Sequence, residues 1–204
     1  MNPQQTKKFQ AAVIIGSTRD RRFGPVPAHW IAEQASLRED LTVDVIDLQE
    51  VQLPDVIAAR HEEQATTEDD PAVANVRALS TRLAAADAFI VVTPVYNRGY
   101  PGTLKNAIDW FFEEWAAKPV GFVSYGGVGG GIPAVEQLRQ VFNEVHATTI
   151  REALSFAQFW ECFDAGGQPI RREATLGASK EFLDRLTWWA RALRTAREDH
   201  PYEV

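Results

Sequence analysis

The sequence predicts a doubly wound α/β domain, a parallel sheet with helices on both faces, and three observations carry that prediction. Short apolar runs of strand length alternate, about five times, with segments whose apolar residues recur every three to four positions. The first run is apolar throughout instead of alternating, as a strand covered on both faces must be. No Pro/Gly/Ser linker, repeat or low-complexity tract divides the 204 residues, so the chain reads as one domain over 9–204.

Residues 1 to 8, polar from Met1-Asn2-Pro3-Gln4-Gln5 onward, are expected to form a flexible tail. The first strand is Ala11-Ala12-Val13-Ile14-Ile15, ending at Gly16, and residues 25 to 38 make an irregular helix around Trp30 and Ile31. Thr42 to Leu48 is the second strand. The 17 residues from Pro54 to Asp70, with Glu62, Glu63, Glu68, Asp69 and Asp70 among them, read as a solvated loop more readily than as a lid. Asp70-Pro71 then supplies a cap and a first helical residue for the stripe Val73, Val76, Leu79 and Leu83.

Ala88 to Val92 is the third strand. Leu104, Ala107, Ile108, Phe111, Phe112 and Trp115 follow at helical spacing and predict a helix over 102–115. Val120 to Ser124 is the fourth strand; Val135, Leu138, Phe142 and Val145 mark the next helix. Thr148 to Leu154 is the weakest strand candidate. Phe182, Leu186, Trp189 and Leu193 define a C-terminal helix in which Trp188 and Trp189 are read as packing residues. Right-handed crossovers join these strands into an open sheet.

Composition narrows the function. Twenty-one basic against 28 acidic residues leave a net charge of −7, which disfavours duplex nucleic acid and anionic bilayers as partners. Without a run of about 18 apolar residues no membrane span is predicted. One cysteine, Cys162, and a polar start without a signal-peptide core point to the cytoplasm.

In open α/β sheets ligands bind beyond the carboxyl ends of the strands, so the segments that follow each apolar run matter most. After the first strand, Gly16-Ser17-Thr18-Arg19-Asp20-Arg21-Arg22-Phe23-Gly24 leads into a helix. Its hydroxyls, backbone N–H groups and helix N-terminus suit a phosphate, with Arg19 and Arg22 as charged forks; the plainer reading is a capped turn with solvated arginines. After the third strand, Pro94-Val95-Tyr96-Asn97 and its glycines could line a flat heteroaromatic ring, or form an ordinary proline-containing turn. After the fourth, Ser124-Tyr125-Gly126-Gly127-Val128-Gly129-Gly130-Gly131 lets the backbone approach a ligand, or makes a flexible loop. Neither G-x-G-x-x-G nor Gly-Lys-Ser/Thr is present, so a phosphate monoester fits better than a dinucleotide or triphosphate.

With Leu104-Lys105-Asn106-Ala107-Ile108-Asp109 and Lys118-Pro119-Val120-Gly121, these segments resemble the NADPH-dependent FMN reductase family of flavodoxin-like flavoproteins over roughly residues 10 to 150. The resemblance implies a five-stranded flavodoxin-like sheet of order 2-1-3-4-5, FMN as cofactor, NADPH or NADH as co-substrate, a quinone, azo compound, free flavin or metal oxyanion as small acceptor, and a homodimer or homotetramer. It implies that Ser17, Arg19 and Gly24 hold the phosphate, that Pro94, Tyr96 and Asn97 flank the ring, and that Tyr125, Gly126 and Gly127 meet its edge. Val95 stands where the family usually has glutamate, which leaves only a backbone contact there. With Thr18, Arg22 and Ser124 from the residue-level reading, this completes the candidate set.

Other chemistries fare worse. The four histidines are scattered, and His29 with Glu33 reads as a helix-surface pair. Ser124 lacks the preceding glycine of a nucleophile elbow, and Cys162 reads as an inert thiol. Trp110, with Arg98 and Tyr100, is expected at a subunit interface, or else partly buried under a loop. The principal alternative to an enzyme is a flavodoxin-type electron carrier or a flavin-dependent binding module.

Overall fold

The computed structural model describes residues 8–55, 57 and 71–204. Strands β1 (Phe9–Ile15), β2 (Leu41–Asp47), β3 (Ala88–Pro94), β4 (Pro119–Gly126) and β5 (Thr148–Ala157) form one parallel sheet in the order β2-β1-β3-β4-β5. The helices are α1 (Pro25–Ser36), α2 (Leu48–Val51), α3 (Pro71–Ala85), α4 (Gly102–Asp109), α5 (Ile132–Glu144) and α6 (Arg172–Asp199). Helices α1 and α6 bury Trp30, Ile31, Phe182 and Leu186 against one face of the sheet; α3, α4 and α5 bury Leu83, Ile108 and Phe142 against the other. The chain runs from β1 outward to β2 and returns past β1 to β3, which puts the reversal of strand order between β1 and β3.

Burial explains which strands were easy to read. β3 and β4 are buried along their whole length, and they were continuous apolar runs in the sequence. β5 lies at the edge and alternates buried with exposed residues, so its signal was faint although at ten residues it is the longest strand. The Pro54–Asp70 segment and the Asp70 cap lie outside the described residues, apart from residues 54, 55 and 57.

Two expectations need correction. The helix predicted through residue 115 ends at Asp109, although Phe111 and Trp115 are buried as their spacing required. Side chains take over the next helical bonds: the Trp115 indole donates to the Ile108 carbonyl at 3.2 Å, and Glu114 accepts the Phe112 N–H at 3.3 Å. The segment continues in tight turns instead, with Trp115 N–H on the Phe112 carbonyl. Trp188, read as a packing residue, is 61% exposed on α6, whereas Trp189 packs against the core beside it. Adjacent helical positions lie about 100° apart, so one face could take only one of them.

Candidate functional site

The turn after β1 is fixed at its start by the Gly16 N–H on the Val92 carbonyl of β3, at 2.9 Å. Beyond it, the backbone N–H groups of Ser17 to Arg21 have no backbone acceptor among the described residues, and the chain then turns at Asp20 and Arg21. Arg19, Asp20 and Arg21 are exposed, so these donors face solvent, and such a run beyond a strand end can meet an anion. Ser17 is fully buried, and its hydroxyl meets the Tyr96 hydroxyl at 2.7 Å. Thr103, in the first turn of α4, donates to the Gly16 carbonyl at 3.2 Å and stands 3.4 Å from the Thr18 hydroxyl. Arg19 is exposed and in no ion pair among the described residues.

Two details of this turn differ from the sequence expectation. The N-terminus of α1 offers no spare N–H in its first turn: Pro25 and Pro27 have none, and that of Val26 goes to the Phe23 carbonyl at 3.0 Å. Only the helix dipole remains to favour an anion there. Arg22, expected to fork onto a ligand, forks instead onto Asp47 at the end of β2, with both contacts at 2.5 Å, and donates to the Ser17 carbonyl at 2.7 Å.

The turn after β3 is a tight hairpin. Tyr96 and Gly99 exchange backbone bonds of 2.8 and 2.9 Å, and Asn97 and Arg98 between them have φ of 48° and 71°. Two consecutive positive φ values make a type I′ turn, where asparagine is among the favoured residues. Asn97 is thus exposed at the tip, while Pro94 is buried inside β3 and Val95 and Tyr96 are half-buried at the mouth. The Val95 N–H donates to the Tyr125 carbonyl at 3.2 Å, and its Cγ1 lies 2.6 Å from where a Cβ on Gly126 would sit. Val95 therefore locks the second turn onto the third. Trp110 is half-buried, and its indole donates to the Pro54 carbonyl at 3.0 Å, beside Asn106 at 2.9 Å. That N–H is used within the chain, as the loop-covered reading required; Arg98 is exposed and Tyr100 half-buried.

In the third turn two serines clamp one carbonyl. Ser124 of β4 and Ser155 of β5, paired in register, each donate to the Gly130 carbonyl at 2.8 Å. Ser124 is fully buried and so cannot face a ligand. The Tyr125 ring is buried between Phe23 and Phe159, with centroids 5.4 and 5.7 Å away. Burial pushes its hydroxyl well above the ordinary tyrosine range, so it stays neutral where it abuts Ser17 and Gly24. Gly127 differs: its carbonyl is held by the Gln158 N–H at 2.9 Å, but a Cβ on it would meet nothing within 4 Å.

The three turns end adjacent strands and are bonded to one another, Gly16 to Val92, Ser17 to Tyr96 and Val95 to Tyr125. They bring the donors of the first turn, the half-buried Val95 and Tyr96, and the open side of Gly127 to one end of the sheet. Sequence reasoning missed Asp47, Thr103 and Ser155; Asp47 alone carried a signal, as a capping aspartate between a strand and a helical turn. A cavity of about 520 Å³ between β5 and α6, beside Cys162, adjoins the third turn through Ser155 and Gln158. The Cys162 thiol donates to the Ala157 carbonyl at 3.1 Å, and burial raises its pKa, so it stays a weak nucleophile.

Residues 9–161 match the model of a family described as NADPH-dependent FMN reductase. An NAD(P)H-dependent FMN reductase of Schizosaccharomyces pombe is 34% identical over 139 residues, 63% of this chain and 63% of that protein's length. A 2-hydroxy-1,4-benzoquinone reductase of a Burkholderia species is 32% identical over 194 residues, 91% of this chain and 98% of that protein. Among solved structures FerB, a flavoenzyme NAD(P)H:(acceptor) oxidoreductase from Paracoccus denitrificans, matches with a TM-score of 0.69 at 23% identity, over 90% of this chain and 98% of the other. That likeness is one of fold.

Proposed function

The chain belongs to the NADPH-dependent FMN reductase family, and from that premise we propose that it passes electrons from NAD(P)H through bound FMN to a small organic acceptor of the quinone type. The residues present fit that cofactor. The Ser17 to Arg21 N–H groups, without a backbone acceptor, and Arg19, in no ion pair among the described residues, suit a phosphate monoester, and the open space at Gly127 leaves room for a flat ring.

Arg19 and the open N–H groups would hold the phosphate, while the buried Ser17 hydroxyl, on Tyr96, ties the first turn to the second. Val95 and Tyr96 would supply apolar surface to the ring, and the backbone around Gly126 and Gly127 would meet its edge, where N–H dipoles favour negative charge. Bound FMN would supply the hydride and electron chemistry, so no side-chain nucleophile is required. The neutral Tyr125 hydroxyl keeps the floor of the phosphate end uncharged. The Burkholderia relative, aligned over nearly its whole length, supports a quinone as acceptor.

The open run of N–H groups at the carboxyl end of β1, next to the Gly127 edge, carries this reading. Anaerobic addition of NADPH or NADH to the FMN-loaded protein tests it: the visible flavin absorption should bleach with the nicotinamide alone and return when a quinone is added. Bleaching only after a separate reductase is supplied would make the protein a flavodoxin-type carrier.

The working form is a cytoplasmic homodimer or homotetramer. The lone cysteine suits a reducing compartment, and Trp188, Trp160 and Ile170 leave apolar surface for a second copy. Light scattering that gives the mass of one chain at every concentration would refute the oligomer.

A further inference from the structure

We infer that Asp47 and Arg22 act together as a positioning unit that sets the backbone of the Ser17–Phe23 turn for a phosphate monoester; the inference rests on the FMN reading. Asp47 belongs to none of the three turns. It ends β2, and its Oδ1 accepts the Gln49 N–H at 3.0 Å, which fixes the carboxylate to the start of α2. Arg22 lies on that carboxylate through both terminal nitrogens, and its Nη1 also donates to the Ser17 carbonyl. The two side chains are only 11% and 14% exposed.

The consequence follows from peptide geometry. In a trans peptide the C=O and the next N–H point in opposite directions, so drawing the Ser17 carbonyl toward Arg22 turns the Thr18 N–H the other way. The strut thus holds open a donor that would otherwise be free to rotate or to pair within the turn. Asp47 also neutralises Arg22, which leaves Arg19 as the turn's cation in no ion pair among the described residues. Because the pair is nearly buried, removing either member leaves an uncompensated charge and frees the same carbonyl, so the two substitutions should not add.

Dissociation constants for FMN and for riboflavin, which lacks the phosphate, measured by flavin fluorescence on wild type, Arg22→Ala, Asp47→Ala and the double variant, test this. Each single change should weaken FMN binding by about tenfold or more, and the double variant should fall within about twofold of the worse single. Riboflavin affinity should stay within about twofold throughout. Asp47→Ala that leaves FMN binding unchanged or tightens it would overturn the inference, because the carboxylate would then be a competitor for Arg22. Additive losses, or a parallel loss of riboflavin, would overturn it as well. If Asp47→Ala does not fold, Asp47→Asn is judged by the same criteria. A wild-type protein that binds FMN no better than riboflavin refutes the phosphate site itself and takes the inference with it, an outcome distinct from a preference that both variants retain.

Discussion

As residues able to fork onto a phosphate, Arg19 and Arg22 looked alike, two of three arginines in one short turn, and the fold gives them different work. What separates them is Asp47, 25 residues from Arg22 along the chain and brought to it only by the pairing of β1 with β2. No spacing rule could have found that contact. Arg19 keeps its charge unspent, so Arg19→Ala should weaken FMN binding by about tenfold while riboflavin binding is unchanged, as read by titration calorimetry. Equal affinity for FMN in the variant would remove Arg19 from the phosphate site. The glycines of the third turn separate in the same way. Gly126→Ala drives a Cβ into Val95 and should lower unfolding stability by about 1–3 kcal/mol in urea. Gly127→Ala meets no protein atom, so it should cost about 0.5 kcal/mol or less and act on FMN affinity instead.

At the level of elements, periodicity identified which residues are buried better than where each helix stops. The apolar spacing through Trp115 was correct as a statement of burial, yet α4 ends at Asp109 because the Trp115 indole and the Glu114 carboxylate take bonds that the helix would have made. Capping by side chains further along the chain leaves little trace in hydrophobic pattern. Lys118 is a second such contact. At the start of β4 its ammonium donates to the Leu83 and Ala84 carbonyls in the last turn of α3, both at 2.9 Å. Burial, with Arg197 adding repulsion, lowers its pKa from 10.5 to about 8. The folded chain therefore sheds this proton at lower pH than the unfolded chain, and the contribution to stability rises as pH climbs from about 8 to 10.5. Lys118→Met should remove that rise, which is on the order of 3 kcal/mol at most. Urea unfolding of both proteins across this range checks it, and parallel profiles would contradict it.

For the molecule as a whole, the alternation of strands and helices was legible because the central strands are covered on both faces and read as unbroken apolar runs. The order β2-β1-β3-β4-β5 was not readable from composition or period; it came from the resemblance, and the sheet has it. That order makes β1, β3 and β4 neighbours, so three turns distant in sequence meet at one end of the sheet. The locations of those turns were legible. Their internal division of labour was not, since Ser124, Tyr125 and Arg22 all turn out to hold the turns in place by contacts that depend on neighbouring strands.

The central claim is that these turns, and not the cavity between β5 and α6, grip the flavin. Backbone amide NMR of the isotope-labelled protein titrated with FMN tests it residue by residue. The account predicts the largest shifts at Ser17 to Phe23, Val95 to Asn97 and Gly126 to Gly130; shifts concentrated on Ala153 to Cys162 and Arg171 to Ala178, with the three turns unmoved, would contradict it.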